Sequence, residues 1–101
     1  MDALRTLSRT ERVILDLLQA RESFGLELVE RSQGALKRGT VYVTLARMQD
    51  KGYVTSRTEE QPPGAIGLPR RLYRPTAYGV ALLKVWSQAE RALARLRPQE
   101  A

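Results

Sequence analysis

In the first half of the chain, apolar residues recur at intervals of three and four, the spacing that gathers them on one face of a helix. Val13, Ile14, Leu17 and Leu18 follow it up to about Ala20, and Leu4 and Leu7 extend it upstream. The segment SRTE, residues 8–11, precedes this run with capping-box spacing. The Ser8 hydroxyl can accept from the amide three residues on, while Glu11 reaches back. A short second helix is predicted from Gly25 or Leu26 to about Arg31, with Leu26, Val29 and Leu28 inward. Ser32, Gln33 and Gly34 supply the turn chemistry that ends it. A third helix is read from GTVYVTLARMQDKGY, residues 39–53. At 100° per residue Val41, Leu45 and Met48 share one narrow arc, and Gly52 is the expected stop. Thr40, Val43, Thr44 and Arg47 fall on a different arc.

After Gly52 the period changes. Residues 53–58 and 70–74 are β-prone, and the segment EEQPPGAIGLP between them is too rich in proline and glycine for a regular element. Two short strands with a flexible tip make a hairpin, and a hairpin following three closely spaced helices makes a winged helix-turn-helix. Thr76 is expected to cap a final helix of about twenty residues stopped by Pro98. Its stripe of Leu82, Trp86, Ala89, Leu93 and Leu96 has the 4-3-4-3 spacing of a coiled coil. Such a helix is about 30 Å long, so its C-terminal half should project beyond its own core and seek an identical chain. The expected architecture is mainly α with a two-stranded β-hairpin. Residues 1–75 form the winged helix-turn-helix and residues 76–101 a dimerisation helix, in a single compact unit.

Composition narrows the chemistry. The 101 residues include no cysteine and no histidine, which excludes disulfides, zinc sites built on sulfur or imidazole, and Cys–His or Ser–His nucleophile pairs. Glu59–Glu60 is the adjacent carboxylate pair, and it sits in a polar stretch where nothing apolar would raise a pKa. An enzyme and a bound cofactor are therefore not expected. No apolar run approaches the ~20 residues needed to cross a bilayer, and MDALRTLSRTER lacks the apolar core of a signal peptide, so a cytoplasmic protein is expected.

The formal charge is +6, which favours a polyanion as partner, and the placement of the charges favours double-stranded DNA. Asp50 is the only acid between Lys37 and Arg57, whereas a merely solvated helix would mix Glu with Lys. Candidate DNA contacts on the third helix are Lys37, Arg38, Thr40, Val43, Thr44 and Arg47. Threonine hydroxyls suit phosphate or base edges, valine a thymine methyl, and arginine the bidentate edge of guanine. Tyr42, also a candidate DNA contact, lies on the boundary between this arc and the core, where packing alone is the alternative. On the hairpin, Arg57, Arg70 and Arg71 are candidates for phosphate or minor-groove contact, with Arg74 nearby. Strand alternation puts Arg71 with Tyr73, and Arg70 with Leu72 and Arg74.

GTVYVTLARMQDKGYV and RRLYRPTAYGVALL, together with VWSQAERAL, resemble the PadR-like winged-helix transcriptional regulators over most of the chain, from about Arg12 to Leu96. Leu26, Pro75 and a long proline-rich wing tip are departures from that pattern. The resemblance implies a homodimeric, sequence-specific DNA-binding regulator, expected to repress. Its third helix would enter the major groove and its wing would lie on the backbone or minor groove. It also implies a second role for Trp86. In some short members a tryptophan at this place, repeated by the dimer's symmetry, stacks a small aromatic effector at the dimer interface. The competing readings are a winged-helix protein-interaction module, whose basic face docks an acidic protein, and a non-specific architectural DNA binder.

Overall fold

Four helices and one hairpin make up the computed structural model, which describes residues 6–96. Leu4 and the stop at Pro98 lie outside the described residues. Helix α1, Arg9–Ala20, begins with both halves of the capping box: the Glu11 amide donates to Ser8 Oγ at 3.1 Å, and the Ser8 amide to Glu11 Oε1 at 2.9 Å. Ile14, Leu15 and Leu18 point into the core, joined by Leu7 from the preceding turn, while Val13 and Leu17 pack at its margin. Helix α2, Gly25–Arg31, buries Leu28; Leu26 and Val29, expected inward, are only half-buried. A seven-residue helix makes just two turns, and besides Gly25 at its start only Leu28 is fully buried. The connection to α3 uses Gln33 and Gly34 at φ 52° and 94°.

Helix α3, Arg38–Asp50, buries Val41, Leu45 and Met48, the arc read from the sequence. Gly52, at φ +80°, ends it in a Schellman motif: the Tyr53 amide donates to the Met48 carbonyl at 2.8 Å and the Gly52 amide to that of Gln49 at 3.0 Å. Tyr53 is thereby carried under the core beside Met48, so the strand starts one residue later than its β-propensity suggests. Strand β1, Val54–Thr58, pairs antiparallel with β2, Arg71–Pro75, in the register Val54↔Pro75 to Thr58↔Arg71. On its other edge Tyr73 exchanges two backbone hydrogen bonds with Ser23, which makes β2 the middle strand of a small sheet.

Helix α4, Ala77–Leu96, starts against the corner that follows α3. Thr76 Oγ1 donates to the Gly52 carbonyl at 2.6 Å and accepts the Gly79 amide at 3.0 Å, so one side chain caps α4 and ties it to the α3 terminus. Leu82 and Leu83 complete the core, and Trp86 packs at its edge. This corrects one sequence expectation. Leu82, assigned to a dimer interface, is 3% exposed within its own chain, because α4 is still lying on α1 at that point. The open part of the stripe begins a turn later. Arg12 of α1 pairs with Glu90, and beyond it Leu93 and Leu96 are exposed.

A second tie joins the start of α1 to the end of α3. Lys51 Nζ donates to Glu11 Oε2 at 2.6 Å and lies 5.2 Å from the centre of the Tyr53 ring. Burial pushes the Glu11 carboxyl up, but the Lys51 ammonium and the Ser8 amide and hydroxyl outweigh it and hold the group below its usual range. A depressed folded pKa means that the stabilisation is complete above the ordinary carboxylate value. It is lost as the pH falls through the lower folded value. Urea melts of the wild type and Glu11→Gln should therefore differ by about 1 kcal/mol at neutral pH. The difference should vanish in acid; a gap that persists there would mean packing, rather than charge, distinguishes the two.

Candidate nucleic-acid interface

The outer face of α3 is set by the same periodicity that buries Val41, Leu45 and Met48. Lys37, Arg38, Thr40, Val43 and Arg47 are exposed, and Thr44 is half-buried. The helix opens without a side-chain cap, Lys37 being the N-cap residue, so its first amides face outward with two cations beside them. Among the described residues, no carboxylate pairs with Lys37, Arg38 or Arg47. Lys51, one turn further on, is instead engaged by Glu11.

The two threonines are more constrained than their exposure suggests. Thr40 Oγ1 donates to the Lys37 carbonyl at 3.2 Å, and Thr44 Oγ1 to the Thr40 carbonyl at 2.9 Å. Their hydroxyl protons are directed into the helix, and what remains outward is acceptor capacity. In this conformation they suit the amino group of adenine or cytosine rather than a phosphate oxygen, which only accepts.

Tyr42 is 48% exposed, and its ring lies against the backbone of Gly25. A Cβ at position 25 would stand 2.5 Å from the ring edge, so glycine there is what lets the tyrosine lie down at the boundary. A cleft of about 450 Å³, walled by Phe24, Leu26, Tyr42, Arg70 and Tyr73, leads from this point to the base of the hairpin. The Arg70 guanidinium is 4.6 Å from the centre of the Phe24 ring. Arg71 Nη1 donates to Ser56 Oγ at 3.1 Å, and Ser56 donates in turn to Gln49 Oε1 of α3 at 2.9 Å. The wing is thus tied to α3 through Ser56 and Gln49.

Arg70 precedes the strand rather than opening it, so simple alternation does not describe its placement; stacking on Phe24 does. Arg71 and Arg74 are exposed on β2. Arg57 differs from the other candidates. Its guanidinium pairs with Glu22, so reaching a phosphate means leaving that carboxylate. Sequence reasoning missed Glu22 and Phe24, which lie just before α2 and meet Arg57 and Arg70 of the wing beside the Ser23–Tyr73 bridge, and the role of Gly25, which opens α2. It also missed Arg31, whose guanidinium donates to the Leu17 carbonyl at 2.7 Å and to Ser23 Oγ, bracing that bridge against the end of α1. No local periodicity signals such contacts.

Among the described residues, no group of three or more carboxylates is placed to hold a metal ion, and no helix is long and apolar enough to cross a membrane. The family model described as transcriptional regulator PadR-like matches residues 14–85. Solved structures share the fold. A PadR family transcription regulator from hypervirulent Clostridium difficile is 24% identical with a TM-score of 0.76, over 88% of this chain and 94% of its own. A PadR-like transcription factor from Bacteroides fragilis is 21% identical with a TM-score of 0.73, over 85% and 84%. The Bacillus subtilis PadR, solved in complex with operator DNA, is 22% identical with a TM-score of 0.70, over 95% of this chain and 51% of its own. No protein of curated function matches the chain in sequence.

Proposed function

This chain belongs to the PadR-like family of transcriptional regulators, and from that premise we propose that it binds operator DNA as a homodimer and represses transcription in the cytoplasm. The observation that carries the reading is the outer face of α3, where Lys37, Arg38 and Arg47 stand without carboxylate partners beside exposed Thr40 and Val43. An α-helix of this kind fits the major groove, entered N-terminus first. The wing, with Arg70 and Arg71, then lies on the adjacent backbone or minor groove. The Bacillus subtilis relative was solved in complex with operator DNA, which supports DNA as the partner of this face.

Dimerisation follows from α4. Leu93 and Leu96 are 67% and 77% exposed, spaced as a coiled-coil stripe that continues from Trp86 and Ala89. Two such stripes cover each other in a twofold pair, which presents two α3 helices to half-sites about one helical turn apart, roughly 34–36 Å. The same pairing would set two Trp86 indoles near the symmetry axis, a suitable place for a small flat aromatic effector.

The test is a gel-shift titration with duplexes selected from a random pool, together with a sedimentation mass. A dimer with four cations of each subunit on phosphates should lose about a thousandfold or more in affinity between ~50 and ~200 mM salt. Binding indifferent to salt would overturn the electrostatic reading, and a lone chain at working concentration would overturn the dimer. Absence of DNA binding even at low salt would favour an acidic protein as the partner of the basic face. Affinity without a preferred duplex would favour architectural binding.

A further inference from the structure

The tip of the wing carries the two most exposed of the large apolar side chains, Ile66 at 98% and Leu68 at 91%. Nothing among the described residues covers them. Their loop is nonetheless shaped: the Glu59 amide bonds the Arg70 carbonyl at its base, the Ala65 amide bonds the Pro62 carbonyl at 3.1 Å, and Gly64 and Gly67 turn at φ 85° and 98°. Pro62, Pro63 and Pro69 lower the freedom that the loop must lose when it docks.

We propose that Ile66 and Leu68 form an apolar wedge that enters the minor groove beside each half-site, partly unstacks a base step and bends the duplex. The proposal rests on the DNA-binding reading above and adds to it a role for the tip. A minor groove about 6 Å wide excludes a helix but admits a narrow hairpin tip, and aliphatic side chains are the kind that pry base steps apart. Charge selects this occupant. Arg70 and Arg71 follow Leu68 after Pro69 on one limb, without carboxylate partners among the described residues. They can hold the phosphates on either side of an opened step. Glu59 and Glu60 stand on the other limb and repel phosphate, so the limb from Leu68 to Arg71 leads into the duplex. The wedge would favour the readily unstacked pyrimidine–purine steps, a sequence preference at a position that makes no base hydrogen bond.

The experiment uses the full chain and a selected duplex carrying 2-aminopurine at the step beside the wing and a fluorophore pair at its ends. The wild type should shorten the end-to-end distance and brighten the 2-aminopurine. The double variant Ile66→Ser/Leu68→Ser should keep the wild-type melting temperature, since both side chains are exposed. It should bind about tenfold more weakly and leave the duplex straight and dark. Equal bending and brightening by the two proteins would overturn the wedge while leaving the DNA-binding reading intact. Failure of the wild type to bind any duplex would overturn both. Wild-type binding to phosphatidylglycerol vesicles that the variant lacks, with no difference in duplex bending, would assign the tip to a lipid surface and overturn the wedge.

Discussion

Gly79→Ala is expected to cost the fold about 2–3 kcal/mol, lowering the melting temperature of a chain this size by about 10–20 °C. The sign is what makes the prediction informative. In an ordinary exposed helix the same change gains about 1 kcal/mol, because glycine is the poorer helix former. Here a Cβ at position 79 would stand 2.1 Å from the Tyr53 carbonyl oxygen and 3.2 Å from Leu15 Cδ2. The obstructing oxygen is backbone, held by the Schellman turn after α3 and by the Thr76 amide, which bonds it at 3.0 Å. It cannot swing aside as a side-chain end would. Relief requires α4 to back away from the corner, which loosens Leu82 and Leu83 together. Thermal melts followed by circular dichroism decide it, and a melting temperature raised or unchanged would show that the corner yields freely. Since α4 also carries the exposed Leu93 and Leu96, the variant should dimerise less well at a given concentration.

The same corner explains what could be read from the chain and what could not. The capping box at Ser8, the buried arc of α3 and the glycine that stops it are local regularities: each needs only residues within one or two turns. They were legible in full. The close approach at Gly79 depends on where α4 lands relative to a turn more than twenty residues earlier, and no spacing encodes that distance. Leu82 shows a subtler failure. A 4-3-4-3 stripe signals that a helix buries one face, but it does not distinguish a partner's helix from the chain's own core. The candidate interface divides in the same way. Its basic α3 face follows from periodicity and charge, whereas Glu22 opposite Arg57, Phe24 beneath Arg70 and Gly25 beneath Tyr42 arise because Ser23 joins the sheet edge. The long proline-rich tip reads as a loop in the sequence, and only the structure shows its two aliphatic side chains uncovered.

The largest functional effect is expected from separating specificity from affinity on the two halves of the surface. Arg47 stands on the exposed arc of α3 with no carboxylate partner among the described residues, and the proposed docking assigns it a base edge. Arg47→Ala should relax preference at one base pair of each half-site by about 1–3 kcal/mol while leaving the remaining positions as selective as before. Arg71→Ala should instead weaken every duplex alike and flatten the salt dependence by about one unit for each wing engaged. Competition against a panel of single-base variants, repeated at several salt concentrations, resolves the two. Uniform weakening by Arg47→Ala would move that residue from the base edge to the backbone. Arg57 supplies the internal control. Its charge is already matched by Glu22, so Arg57→Ala should cost less affinity than Arg71→Ala. Glu22→Gln, which frees the guanidinium for a phosphate, should tighten binding to all sequences and steepen the salt dependence.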